Sequence, residues 1–114
     1  MVLMSTKVEF APEFKRNVRQ LAKKYRSIQK DLTPLFTTLA EGETPGDQIA
    51  GVGASLYKVR VKNNDSNRGK SGGYRVIYYI KTTEHITLLT VYSKSEQADA
   101  SIKDLRALVE KYQL

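Results

Sequence analysis

The N-terminal third of the chain carries hydrophobic residues at the spacing of two amphipathic helices. The first set is Phe14, Val18, Leu21 and Tyr25. The second set is Ile28, Leu32, Leu35 or Phe36, and Leu39. Steps of three and four residues place each set on one side of a helix. We therefore predict a helix that begins near Pro12 and a second that ends by Gly42, with Pro34 either kinking the second helix or delaying its start.

Strand patterns precede and follow these helices. Residues 2–10 mix β-branched and apolar side chains and predict a first strand. Residues 42–54 contain four glycines and a proline, which indicate a loop. Beyond it, residues 56–62 alternate strictly in polarity, and residues 74–81 and 86–92 are rich in β-branched and other apolar side chains. The short connection between the last two segments predicts that they pair antiparallel.

A last helix is predicted from about Ser101, because Ser101 and Asp104 have the spacing of a capping box. Its apolar side is formed by Ile102, Leu105, Leu108 or Val109, and Tyr112. The predicted order of elements is β-α-α-β-β-β-α. This order indicates one α+β domain over residues 1–114, with a small, mainly antiparallel sheet, an N-terminal α-hairpin packed on one face and a C-terminal helix.

Several classes of function are excluded by residue types that the chain lacks. Its 114 residues include no cysteine and a single histidine, His85. Disulfides, thiolate catalysis, cysteine-ligated zinc and multi-histidine metal sites are therefore ruled out. No apolar stretch reaches the ~18–20 residues of a membrane span, and residues 1–7 lack the features of a signal peptide. We expect a cytoplasmic protein with no membrane partner, bound metal or cofactor.

The net charge of +7 is concentrated in one part of the chain. Residues 55–81 hold seven basic residues and one acidic residue, whereas residues 82–114 hold four basic and five acidic residues. Such a local concentration of positive charge is typical of a binding site for a polyanion.

Lys58, Arg60 and Lys62 are the first candidates for that site. They occupy alternate positions of one predicted strand, so their side chains share a face at intervals of ~6.8 Å. This interval is close to the spacing of phosphates along a nucleic acid strand. The alternative is a solvated face of an edge strand, where lysine and arginine discourage aggregation.

The loop over residues 63–73 adds Arg68 and Lys70 as candidates for contact with a phosphate backbone. The alternative is a plain hairpin loop with polar residues. Gly69-Lys70-Ser71 is not part of a P-loop, because that motif requires a glycine where Asn64 stands and joins a strand to a helix.

Arg75 lies within an otherwise apolar strand, and arginine is rarely buried unless it is paired. If it shares a face with Lys58 and Arg60, its planar guanidinium adds a group suited to a phosphate. The alternative is a structural ion pair with a carboxylate such as Glu96.

Tyr92 and Lys94 are the last candidates, at the end of the final predicted strand. Lys94 would supply a further cation, and Tyr92 a stacking surface for a base. Tyrosines in strands more often pack in a core, which is the alternative for Tyr92. We expect His85 to be an exposed turn residue and not a catalytic one.

Three motifs give the chain a resemblance to a known family. They are Tyr57-Lys58-Val59-Arg60-Val61, Gly72-Gly73-Tyr74-Arg75-Val76-Ile77-Tyr78-Tyr79 and Tyr92-Ser93-Lys94-Ser95-Glu96. With them, and in its order of elements, the chain resembles the RelE/HigB family of bacterial toxins from type II toxin–antitoxin modules. The resemblance implies an antitoxin partner, encoded by a neighbouring gene, which masks the basic site and forms with the toxin a complex that binds operator DNA.

The resemblance also implies an mRNA interferase, a metal-independent endoribonuclease that cleaves mRNA on the ribosome and so inhibits translation. In that reaction the 2′-hydroxyl attacks the neighbouring phosphate and gives a 2′,3′-cyclic phosphate and a free 5′-hydroxyl. The chemistry requires a base, an acid and positive charge beside the transition state.

Individual residues match this family's pattern. Lys58 and Arg60 match its basic pair, with Lys58 as our preferred base because an arginine rarely gives up its proton. Arg75 matches its transition-state arginine, and Lys94 lies one place from a second arginine of some members. The family's tyrosine near the last helix has no match in that region here, and Tyr92 is the nearest substitute.

The sequence leaves three alternatives to this function. A ParE-like toxin resembles the chain in architecture but inhibits DNA gyrase and does not cut RNA. A degenerate family member would bind RNA or its antitoxin without cleavage. A ribosome-independent nuclease would cleave naked RNA.

Overall fold

The computed structural model describes residues 6–66 and 72–114. Within them the chain forms five strands and three helices, and all but one of the strands were predicted. The strands are β1 (Lys7–Phe10), β2 (Asp47–Gln48), β3 (Leu56–Val61), β4 (Tyr74–Thr82) and β5 (His85–Ser93). The helices are α1 (Pro12–Ala22), α2 (Ile28–Ala40) and α3 (Ile102–Lys111). The α+β class is thereby confirmed.

The five described strands form one sheet in the order β1-β5-β4-β3-β2. β4 and β5 pair antiparallel, as predicted, and their connection brings Thr82 opposite His85. β3 pairs antiparallel with both β2 and β4. β1 runs parallel to β5, with Val8 opposite Ile86. The sheet is therefore mainly antiparallel, and β4 lies at its centre.

Both faces of β5 are buried, because helices cover both sides of the sheet. Leu88 packs in the cluster under α1 and α2, whereas its neighbour Leu89 packs in the cluster under α3. Both side chains are 0% exposed. This double burial explains why the β5 segment is apolar at successive positions. The predicted α-hairpin thus lies on one face, and the C-terminal helix lies on the other.

The second helix runs through Pro34 without a delayed start. Proline has no N–H, so the carbonyl of Lys30 loses its usual helical donor. Pro34 is exposed, and water can therefore bond to that carbonyl. Packing of Leu32, Leu35 and other residues of the apolar side against the sheet compensates for the missing bond. None of the helices in the described residues is long and apolar enough to cross a membrane.

β4 and β5 differ from their predicted bounds by one residue, and larger differences occur in the other strands. Of the first strand, residues 7–10 are observed, and residues 2–5 of the prediction lie outside the described residues. β3 ends at Val61, so Lys62 follows the strand. β2 lies in the predicted loop, where the turn at Gly46 brings the backbone onto β3. Gly46 has a φ of +96°, and a Cβ there would lie 2.3 Å from the carbonyl oxygen of Lys58. A two-residue strand is too short to leave a hydrophobic pattern.

The predicted cap of the last helix is confirmed and gives a first testable prediction. The Oγ of Ser101 accepts a hydrogen bond from the backbone N–H of Asp104 at 3.0 Å. We expect Ser101→Ala to lower the free energy of unfolding by about 1 kcal/mol, because that N–H loses its partner. Denaturant unfolding measures the change. Ser55→Ala, at an exposed position before β3, is the control and should change it by less than about 0.5 kcal/mol.

Candidate nucleic-acid site

The strand register brings three of the predicted site residues into one row. Arg60 of β3 lies opposite Arg75 of β4, and Arg75 lies opposite Tyr92 of β5. Neighbouring strands are ~4.8 Å apart, and directly opposed residues point to the same face. Lys58 lies two positions from Arg60 on the same face of β3. This is the face that α3 partly covers, and it leaves the β3 side open.

Arg75 is the most unusual residue of this row. It is 5% exposed, and its guanidinium donates a hydrogen bond, at 3.3 Å, to the carbonyl oxygen of Tyr74. In the described residues no carboxylate lies within 4.0 Å of it. The alternative of an ion pair with Glu96 is therefore wrong, since Glu96 pairs with Lys24 at 3.7 Å. A buried and unpaired cation costs stability, so it is a strong indication of a functional site.

A carboxylate joins two of the predicted cations. Asp99, in the segment before α3, lies 3.1 Å from the Nζ of Lys94 and 3.8 Å from the Nζ of Lys58. The hydrogen bond from Lys94, together with the charge of Lys58, lowers the pKa of the Asp99 carboxyl below its ordinary value. Asp99 was not predicted as a site residue, because it lies far from Lys58 in the chain. Its only local signal is its place shortly after the third family motif.

Tyr92 holds this carboxylate in place. Its hydroxyl donates to Asp99 at 3.2 Å and accepts from the backbone N–H of Ala100 at 3.2 Å. The ring is 5% exposed and packs in the cluster under α3, beside Leu105. Burial raises the pKa of the Tyr92 hydroxyl, so it stays a proton donor at neutral pH. The expected stacking surface for a base is therefore wrong for this structure, and Tyr92 packs in the core instead.

Arg60 and Lys62 lie at the open end of β3. Both line a groove of about 440 Å³ that Lys30 and Asp31 of α2 also line. Lys62 follows the strand and is exposed, so the row of three cations is shorter than its alternation predicts. Arg60 thus lines this groove and also lies opposite Arg75.

Two carboxylates tie the start of the β3–β4 loop to the α-hairpin. Asp31 accepts from the backbone N–H of Asn64 at 3.0 Å, and also from the side chain of Asn64. Asp65 accepts from the backbone N–H of Ser27 at 2.7 Å. These contacts fix the direction in which the chain leaves β3. Arg68 and Lys70, which the sequence predicts to contact phosphate, lie outside the described residues.

His85 takes no part in this site. His85 is the first residue of β5, whereas Tyr92, the site residue on that strand, lies near its other end. Its Nε2 is 2.9 Å from the carboxylate of Glu9, which joins β1 to β5, and its side chain is 27% exposed, less than predicted. Across the described residues, no three His, Asp or Glu side chains are arranged to hold a metal ion. The site chemistry available is therefore that of cations, one carboxylate and a buried phenol.

A known protein family matches the part of the chain that forms this site. A family model described as the RelE toxin of the RelE/RelB toxin–antitoxin system matches residues 14–112. The chain belongs to the RelE toxin family. The match includes Lys58, Arg60, Arg75, Lys94 and every described element from α1 to α3. The resemblance found in the sequence motifs is thereby confirmed.

Membership of the RelE family states what kind of partner the protein has. It is a toxin of a toxin–antitoxin system, and a cognate antitoxin is its partner. RelE toxins are generally ribonucleases. This agrees with the positively charged residues of the site, which are suited to bind a polyanion such as RNA.

Proposed function

We propose that this RelE-family toxin is an mRNA interferase, a metal-independent endoribonuclease that cleaves mRNA on the ribosome and so inhibits translation. The reaction is the attack of a 2′-hydroxyl on the adjacent phosphate, with a 2′,3′-cyclic phosphate and a 5′-hydroxyl as products. The protein acts in the cytoplasm, where its antitoxin covers the basic face. With that antitoxin it also binds operator DNA.

The observation that carries this proposal is the buried Arg75. Removing an ionised guanidinium from water costs several kcal/mol unless a charge partner compensates, and the described residues supply none. A phosphate entering beside it would provide the missing charge. The dianionic transition state of phosphate cleavage would pair with Arg75 more strongly than the monoanionic ground state does.

The other cations surround this position and have separate tasks. Arg60, opposite Arg75, is placed to bind the non-bridging oxygens or the next phosphate along the strand. Lys58 of β3 and Lys94, which follows β5, both reach the carboxylate of Asp99. Lys62, Arg68 and Lys70 extend the contact along the RNA backbone. A polyanion thus meets positive charge on β3, on β4 and after β5.

Expression without the antitoxin tests this function directly. We expect induction of the toxin in bacteria to arrest growth and to produce cuts with 5′-hydroxyl ends in ribosome-bound mRNA. Purified toxin should give the same cuts on programmed ribosomes in the presence of a metal chelator, and naked RNA should be cut far more slowly. Co-expression of the antitoxin should restore growth.

Each alternative predicts a different result in the same experiment. Loss of DNA supercoiling before any loss of translation would indicate gyrase inhibition. Binding to ribosomes without cuts would indicate a degenerate member. Equal cleavage of naked RNA would contradict ribosome dependence, and a harmless toxin with intact mRNA would contradict the proposal as a whole.

A further inference from the structure

We propose that Asp99 is the proton acceptor of the cleavage reaction, the group that takes the proton from the attacking 2′-hydroxyl. This inference rests on the proposed ribonuclease function and assigns to a carboxylate the role that was predicted for Lys58. Asp99 lies in the segment between β5 and α3 and comes to the cationic face through tertiary contacts alone.

The position of the Asp99 carboxylate supports this role. One oxygen of Asp99 faces Lys94 at 3.1 Å, and the other faces Lys58 at 3.8 Å. Two lysine side chains so close together would attract the phosphate of a bound RNA. Asp99, which contacts both lysines, would then be within reach of the 2′-hydroxyl next to that phosphate. The side chain of Asp99 is 48% exposed, so an RNA strand can reach it.

The protonation state of the site also supports this role. A general base needs a free lone pair at neutral pH. The groups that face Asp99 are Lys58 from β3, and Tyr92 and Lys94 from β5 and the residue after it. Lys58 and Lys94 both direct their Nζ towards the carboxylate of Asp99, and the phenol of Tyr92 donates its proton to it. Asp99 is therefore the acceptor on which the other three groups converge.

The fixed geometry of the Asp99 carboxylate is a further support. The Tyr92 hydroxyl, itself held by the N–H of Ala100, donates to the oxygen of Asp99 that also contacts Lys94. The oxygen facing Lys58 has only the longer contact of 3.8 Å. That oxygen is the one available to accept a substrate proton, while the other oxygen anchors the side chain. A base fixed in this way loses little entropy when it acts.

The resulting step balances in atoms and charge. The 2′ oxygen gives its proton to Asp99 and forms a bond to phosphorus. The bond between phosphorus and the 5′ oxygen breaks, and that oxygen takes a proton from solvent. Protonated Asp99 then returns its proton to solvent. Lys58 and Lys94 stabilise the phosphate, as cations do in phosphoryl transfer.

The pH dependence of cleavage separates the two candidate bases. Hydrogen bonding from Lys94 lowers the pKa of Asp99, so the carboxylate is fully ionised between pH 6 and 8.5. We expect single-turnover cleavage of ribosome-bound mRNA by the wild type to be nearly independent of pH over about that range. A lysine base would instead make the rate rise about tenfold per pH unit, because its neutral fraction grows in that proportion.

The variant Asp99→Asn tests the role of the carboxylate. We expect it to lower kcat by about 100-fold or more, because the base is lost. KM should not rise, because the substitution also removes a negative charge near the phosphate. Its residual rate should rise with pH, since hydroxide must then take the proton. Asp99→Glu should recover part of the rate. Glu96→Gln, which removes a carboxylate of the same segment that pairs with Lys24, is the matched control and should cleave normally.

The outcomes distinguish this inference from the proposed function. A wild-type protein that cuts no RNA would overturn both. An active wild type whose rate rises about tenfold per pH unit would overturn only the assignment of Asp99. An Asp99→Asn variant that is slow but keeps the flat pH profile of the wild type would overturn it also, because that result indicates positioning alone. Thermal unfolding of each variant checks that the fold is intact.

Discussion

Replacing Arg75 with methionine is expected to abolish growth arrest while leaving the fold at least as stable as the wild type. Methionine has a similar length and can fill the position between Arg60 and Tyr92 without a charge. Cleavage of ribosome-bound mRNA should fall by about 10²–10³-fold, the usual cost of removing a donor aimed at developing negative charge. The wild-type guanidinium is 5% exposed and lacks a carboxylate among the described residues. Removing it should therefore raise the midpoint of thermal unfolding or leave it unchanged.

Measuring both quantities on one variant makes this prediction specific. A structural role for Arg75 would lower stability and activity together, whereas a functional role lowers activity alone. Arg26→Ala, at an exposed position before α2, is the matched control and should change neither. Full toxicity of Arg75→Met, or its unfolding at growth temperature, would contradict the role assigned to Arg75.

Truncation of β5 is expected to have the largest effect on stability. Leu88→Ala and Leu89→Ala should each lower the free energy of unfolding by about 2–5 kcal/mol, because both side chains are 0% exposed and each leaves a cavity. Adjacent strand positions rarely give equal losses when one face of a sheet is open to water. Here they should, because Leu88 lies under α1 and α2, and Leu89 lies under α3. Denaturant unfolding measures both.

An exposed aliphatic residue provides the control for these truncations. Ile102 is 41% exposed at the start of α3, so Ile102→Ala should cost less than about 1 kcal/mol. If only one of the two leucine variants is strongly destabilised, the double burial of β5 is contradicted. Since small domains have about 5–15 kcal/mol in total, either leucine variant should also accumulate poorly in cells.

The secondary structure followed from local chemistry, and it was therefore largely predictable. Helical spacing, the serine cap at Ser101 and strict alternation in β3 are properties of neighbouring residues, and each led to an observed element. The course of α2 was uncertain because proline is disfavoured inside a helix. The helix continues through Pro34 because its apolar side packs against the sheet. β2 was missed because it depends on the turn at Gly46 and on pairing with β3, not on a pattern of its own.

The candidate site was predicted only in part, because only some of its features are local in the sequence. Lys58, Arg60 and Arg75 were recognisable from motifs and from the local excess of positive charge. Their relation to Tyr92 depends on strand register, and a shift by one residue would turn each strand's side chains to the other face. The sequence could not decide whether the Tyr92 ring is buried or free, since both fit an alternating strand.

The fold class, the family and the region of positive charge could be predicted without a structure, because they follow from the order and type of residues along the chain. The burial of Arg75, with no carboxylate of the described residues beside it, and the contacts of Asp99 with Lys58 and Lys94 depend on the tertiary structure. Charge interactions depend on distance in space, and these side chains come from three separate parts of the chain. The chemistry of the site is consequently a property of the folded sheet and of the segment that leads into α3.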